Sequence, residues 1–140
     1  MTESDLKRAL LRSLRAQGGV GYRTEDRYAV GRPDCYMHAL GIPPFHVEAK
    51  MLKDRASLFC TEHQEATLLD LDRPPWAYAV VVGFSEKRDA LYIGYPGWKL
   101  KDCRYVPRPP RFDSSDWLIS ELLGKHHHAF IGEAIASPVK

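Results

Sequence analysis

Gly31-Arg32-Pro33-Asp34, a gap of thirteen residues, and then Glu48-Ala49-Lys50 set two carboxylates and an ammonium where an apolar run should bury carbon. Unpaired charge at the edge of a core is costly, so folding stability alone does not select this arrangement. Two acids and a base converging on one point suit a divalent cation and a phosphodiester. Mg2+ takes few protein ligands, prefers oxygen, and keeps room for waters and phosphate oxygens. On that reading Asp34, Glu48 and the backbone carbonyl of Ala49 hold the ion. Lys50 then orients the attacking water or offsets charge developing on phosphorus. The bland alternative is a solvent-facing Glu–Lys pair beside a turn aspartate.

The elements that must position these groups can be read from pattern. Phe45 to Met51 alternates, so Phe45, Val47, Ala49 and Met51 share one strand face and His46, Glu48 and Lys50 the other. Asp34 falls at a Gly/Pro kink between two short strand signals, Arg27–Val30 and Cys35–Leu40, where a bent backbone can re-aim a carboxylate. Ahead of them, Thr2 or Ser4 can cap a helix from Asp5 to Ala16, with Leu6, Leu10, Leu11 and Leu14 inward. Lys7, Arg8, Arg12 and Arg15 are assigned to its solvated basic face, with phosphate contact as the sharper alternative. Gly18-Gly19 stops this helix.

Beyond the lysine strand, Thr61 is the expected N-cap of a helix to Asp70, with Ala66 and Leu69, and Leu68 beside them, facing inward. Pro74-Pro75 ends it. Trp76 to Phe84 is almost continuously apolar, as in a strand covered on both faces, and Leu91 to Tyr95 reads as a further strand. Pro96 to Phe112 reads as an extended connection, and Asp113 or Ser114 can cap a last helix to Leu123. Helix, three strands, helix, long buried strand is the order of an α/β domain around a mixed central sheet.

Composition adds little about partners. The chain has 140 residues, enough for one domain, with a core over about 5–95 and an extension over about 96–140. A net charge of +2 creates no global field for a polyanion, although segregation onto one face remains open. Cys35, Cys60 and Cys103 include no CxxC pair, which fits a reduced, intracellular setting. The N-terminus lacks a basic and apolar leader, and no run is long enough to span a bilayer, so a soluble protein is expected. His126-His127-His128 are consecutive and diverge on any regular element, so no shared metal is assigned to them.

Gly31-Arg32-Pro33-Asp34 followed by Val47-Glu48-Ala49-Lys50 resembles the PD-(D/E)XK nuclease superfamily. Within it the chain is similar to the VRR-NUC group, the virus-type replication-repair nucleases, which place G-x-P-D before the E-x-K strand. Members of that group then carry a Ser and a Gln at the start of the next helix, where Ser57 and Gln64 stand here. The resemblance covers about Val30 to Phe84. It implies a restriction-endonuclease-like core in α-β-β-β-α-β order, flanked by helices, and dependence on Mg2+ with Mn2+ as a substitute.

Carried over by position, the resemblance makes Asp34 and Glu48 metal ligands, Lys50 the catalytic lysine, and Gln64 a holder of water or phosphate. Many members add a glutamate from the first helix; Glu3 is the candidate here, with Asp5 and Glu25 as alternatives. The implied substrate is branched or structured DNA of the Holliday-junction type, as for phage-encoded stand-alone domains. A symmetric junction needs two sites, which a C2 homodimer supplies. A nuclease on linear duplex and a silent nucleic-acid-binding protein of the same fold are the rival readings. Lys53, Arg55 and Arg32 are candidate phosphate contacts. Lys99, Lys101, Arg104, Arg108 and Arg111, interleaved with Trp98, Tyr105 and Phe112, form the most nucleic-acid-like tract.

Overall fold

The first helix, α1 (Glu3–Ala16), starts where its cap chemistry begins. Thr2 Oγ1 accepts the Asp5 N–H at 3.1 Å, and Asp5 Oδ2 accepts the Thr2 N–H at 2.9 Å. This reciprocal box satisfies two of the donors that a helix start leaves open, and it selects Thr2 over Ser4 as the cap. Leu6, Ala9, Leu10, Leu11 and Leu14 are buried along one stripe.

In this computed structural model, which describes residues 2–16, 18–24, 33–38, 43–73 and 76–107, a six-stranded sheet follows. The strands are β1 (Val20–Arg23), β2 (Cys35–His38), β3 (Phe45–Met51), β4 (Tyr78–Ser85), β5 (Ala90–Gly94) and β6 (Arg104–Pro107). They lie in the sheet in chain order. Only β3 and β4 are parallel, and α2 (Glu62–Leu71) lies in the crossover that such a pair requires. The remaining neighbours are antiparallel. Among the described residues no helix is long and apolar enough to cross a membrane.

One face of the sheet packs Val47, Ala49, Val80, Val82, Leu91 and Ile93 under the leucine stripe of α1. The other packs Val81, Ala79 and Tyr92 under Leu68 of α2 and under Leu52 and Leu58 of the loop after β3. Every residue of β4 is buried, as its unbroken apolar run implies. Gly83 permits this packing, because a Cβ there would stand 2.7 Å from Leu52 Cδ2 and 2.9 Å from Leu58 Cδ2. The alternation expected for β3 is observed, with Phe45, Val47 and Ala49 buried on the α1 side and Met51 packed against them.

Several local expectations change. The strand before Asp34 is Val20–Arg23, paired antiparallel with β2; the segment Arg27–Val30 lies outside the described residues. The long buried strand begins at Tyr78, leaving Trp76 exposed. In α2, Leu68 is buried while Leu69 is 61% exposed. The cause is Gln64, which is turned inward by its cap and by Lys50; Leu68 and Leu71 share its stripe at i+4 and i+7, and Leu69 does not. The supposed connection from Pro96 holds a 3₁₀ turn, Leu100–Asp102, and β6, whose Val106 reaches the core. Arg32, Arg108, Arg111, Phe112, the expected last helix and His126–His128 lie outside the described residues.

Candidate active site

Pairing between β2 and β3 ends at Cys35 and Val47. Beyond that point no strand among the described residues pairs with the β2-facing edge of β3, and alternate amides along a strand point to the same side. The side chain of Asp34, the residue just before β2, fills the first vacancy: its Oδ2 accepts the Ala49 N–H at 2.8 Å. Glu3, from the first turn of α1, takes the next amide, with Oε1 3.4 Å from the Met51 nitrogen. Two residues of strand separate these anchors by about 7 Å.

Glu48 projects from the opposite face of the same strand and is only 2% exposed. Its carboxyl lies close enough to that of Asp34 for the two to interact, and Glu48 Oε1 has no hydrogen-bond partner despite being buried. Burial pushes the Glu48 carboxyl up, and the hydrogen bond and negative charge of Asp34 push it further, to about 9. Lys50 and Lys7 pull it back only in part. Asp34 moves the other way. Burial raises it, but hydrogen bonds from Glu48, Ala49 and Lys7 outweigh that and hold it below the ordinary 3.8. Proton binding to the two carboxyls is thus linked, with Glu48 pushed up and Asp34 down, the behaviour of like charges forced together.

Lys50 lies on the Glu48 face, and its Nζ donates to Gln64 Oε1 at 2.9 Å. Gln64 is the third residue of α2 and also closes its capping box. Its Oε1 accepts the Thr61 N–H at 3.0 Å, and its own N–H reaches Thr61 Oγ1 at 3.2 Å. The helix start therefore fixes the side chain that holds Lys50. Cys60 borders the same acids and Lys50; burial pushes its thiol up to about 11, so it stays protonated. His46 precedes Glu48 on this face, and burial lowers its pKa. It packs edge-on against Tyr36, which stacks on Tyr22 across the register of three strands.

Lys7 is the site neighbour that the sequence reading missed. Its Nζ lies 3.0 Å from Asp34 Oδ1, with both side chains only 12% exposed. The signal was present: Lys7, Leu10, Leu11 and Leu14 follow the i, i+3, i+4, i+7 spacing of a buried stripe. Lys7 therefore departs from the solvated face assigned to it.

Of the expected DNA contacts, Lys53 and Arg55 line a groove of about 740 Å3 that also includes Glu3, Met51 and Lys87. Lys99 and Lys101 line a second groove of about 680 Å3 with Arg55, Arg88, Tyr92 and Tyr105. Arg55 also stacks over Phe59 at 5.0 Å. Ser57 forms an isolated backbone bridge with Lys99.

Among the described residues no three His, Cys, Asp or Glu side chains converge to hold a metal ion. The acids converge as a pair, with Glu3 held apart on the next amide. A pair still fits Mg2+, which needs few protein oxygens. The fit rests on Glu48, whose buried oxygen lacks a partner and whose ionisation is opposed until a cation offsets Asp34.

No protein-family model matches the chain, and no curated protein matches it either. A solved structure does: Archaeoglobus fulgidus Hjc, a Holliday junction resolvase from an archaeal hyperthermophile. The likeness has a TM-score of 0.54 at 20% identity, over 86% of this chain and 98% of that one. The mixed sheet with its two helices is thus the restriction-endonuclease-like fold.

Proposed function

We propose that this chain is a divalent-metal-dependent DNA endonuclease of the PD-(D/E)XK superfamily that acts on branched DNA of the Holliday-junction kind. The observation that carries this reading is the buried Asp34–Glu48 carboxyl pair with Lys50 on the same strand. The branched substrate is supported by the likeness to a protein described as a Holliday junction resolvase. The VRR-NUC-like arrangement of Gly31 to Asp34 before Glu48-Ala49-Lys50 points the same way.

In this reading Asp34, Glu48 and the carbonyl of Ala49 hold Mg2+, with Mn2+ able to substitute, and Glu3, the first-helix candidate, stands one amide farther along β3 outside that pair. A bound ion supplies a water of lowered pKa and offsets negative charge on the scissile phosphate. The chain's own work is to bring the acids together and to hold the Lys50 ammonium toward the phosphate through Gln64. A fixed positive charge in a half-buried site favours the more negative transition state over the ground state. Lys53, Arg55, Lys99 and Lys101, with Arg32, take the flanking phosphates, and a homodimer supplies the two sites that a symmetric junction needs.

The test is cleavage of a labelled four-way junction against a linear duplex of the same sequence, with Mg2+ present. Faster junction cleavage, lost in Asp34→Ala, supports the reading. Equal cleavage of the linear duplex favours a restriction- or nicking-like enzyme. Binding of either substrate without cleavage under Mg2+ or Mn2+ would leave a nucleic-acid-binding protein of this fold.

A further inference from the structure

Lys7 enters the acid pair from the helix layer, on the far side of the sheet edge from Lys50. Its ammonium lies 3.0 Å from Asp34 Oδ1, and its charge is also felt at Glu48. Neither partner of the Lys7–Asp34 bridge is more than 12% exposed, so water and salt screen the pair poorly. Lys7 stands at the i, i+3, i+4, i+7 spacing of the leucine stripe of α1, the helix that covers the sheet. Asp34 does not depend on Lys7 for its direction, because the Ala49 N–H holds its other oxygen at 2.8 Å. What Lys7 adds is positive charge at the place where a cation would sit.

We infer that Lys7 is a resident counter-cation that sets how tightly the acid pair binds a divalent ion. This rests on the reading of Asp34 and Glu48 as the ion's ligands. In the free protein the ammonium balances the Asp34 carboxylate, and the same charge opposes a dication beside it. The protein therefore binds the ion weakly on its own. Binding strengthens when an anionic phosphate arrives to balance both cations. Lys7 is thus a positioning residue for charge, acting on ion affinity through Asp34.

The experiment is calorimetric titration of the whole, DNA-free chain with MnCl2, paired with melts in the presence and absence of Mn2+. Lys7→Met keeps the apolar stem and removes the charge, and Lys7→Gln is a second neutral variant in case the first does not fold. Both neutral variants should bind Mn2+ about tenfold tighter than wild type and gain more melting temperature from it, whereas Lys7→Arg stays within about twofold. Unchanged or weaker Mn2+ affinity in the folded neutral variants overturns the inference. If wild type, Lys7→Met and Asp34→Asn all give no heat and no shift, the carboxylate metal site itself is refuted, and this proposal falls with it.

Discussion

Asp34 Oδ2 accepts the Ala49 N–H at 2.8 Å, which ties an acid from before β2 to the strand that carries Glu48. The tie works because β2 stops pairing at Cys35 and leaves that amide open. A carboxylate takes the place of a strand partner. The acid is thereby held beside a second one that repulsion would otherwise push away.

Asp34→Asn keeps an oxygen for the Ala49 amide and loses the charge. The variant should fold, fail to bind Mn2+ by calorimetry, and lose at least about a hundredfold in junction cleavage. A variant that folds and retains the heat would remove Asp34 from the ion site.

The metal-free protein should lose stability as pH rises. Glu48 has a folded pKa of about 9 against an ordinary 4.5, so the folded state binds the proton more tightly than the unfolded state. Its contribution is fully present below about 4.5 and is lost progressively as pH climbs through about 9. Asp34 has the opposite sign: its depressed pKa gives stability above 3.8 that fades as pH falls through the folded value. Urea melts in EDTA between pH 5 and pH 9 read this slope. Glu48→Gln should flatten it, and added Mg2+ should reverse the loss at the alkaline end.

Lys50→Ala should lower junction cleavage about a hundredfold while leaving junction affinity, measured in Ca2+, within about twofold. Gln64→Ala acts on two levels. It removes the side-chain half of the capping box, one hydrogen bond costing about 0.5–1.5 kcal/mol, and it frees Lys50. Gln64→Glu separates them, because glutamate keeps the cap. Its stability in urea should match wild type while its turnover falls, since a carboxylate pins the ammonium more firmly. Wild-type turnover in Gln64→Glu would show that the Lys50–Gln64 contact does not bear on the reaction.

The orientation of α2 is open to a direct check. Leu68→Ala should cost about 2–5 kcal/mol in urea unfolding, and Leu69→Ala should stay within about 0.5 kcal/mol. The reverse ranking would mean that the helix is rotated and that Gln64 does not face Lys50.

Gly83→Ala should cost about 1–3 kcal/mol, because the new methyl meets Leu52 and Leu58 at less than 3.0 Å. A neutral substitution, read by the same urea melts, would show that the loop after β3 yields easily.

The amino-acid sequence by itself determined the parts whose cause is local. Alternation placed Phe45, Val47 and Ala49 on one face and Glu48 and Lys50 on the other. The apolar run from Trp76 to Phe84 announced a strand buried on both sides. Thr61 announced one helix start, and Thr2 or Ser4 announced another. Each of these depends on residues within a few positions, where spacing and hydrogen-bond chemistry suffice.

What only the tertiary structure decided is which distant groups meet. That Asp34 completes the open edge of β3 depends on where β2 stops pairing. That Leu68 rather than Leu69 faces inward depends on Gln64 reaching Lys50 from another element. β6 was hidden because a strand at a sheet edge needs only one buried residue, Val106, among exposed ones. Lys7 looked solvated because a basic residue beside a leucine stripe usually is, and only a buried carboxylate from 27 positions away made its burial favourable. Spacing along the chain sets which face a side chain is on. Electrostatics between elements sets what it touches there, and that term does not exist until the chain has folded.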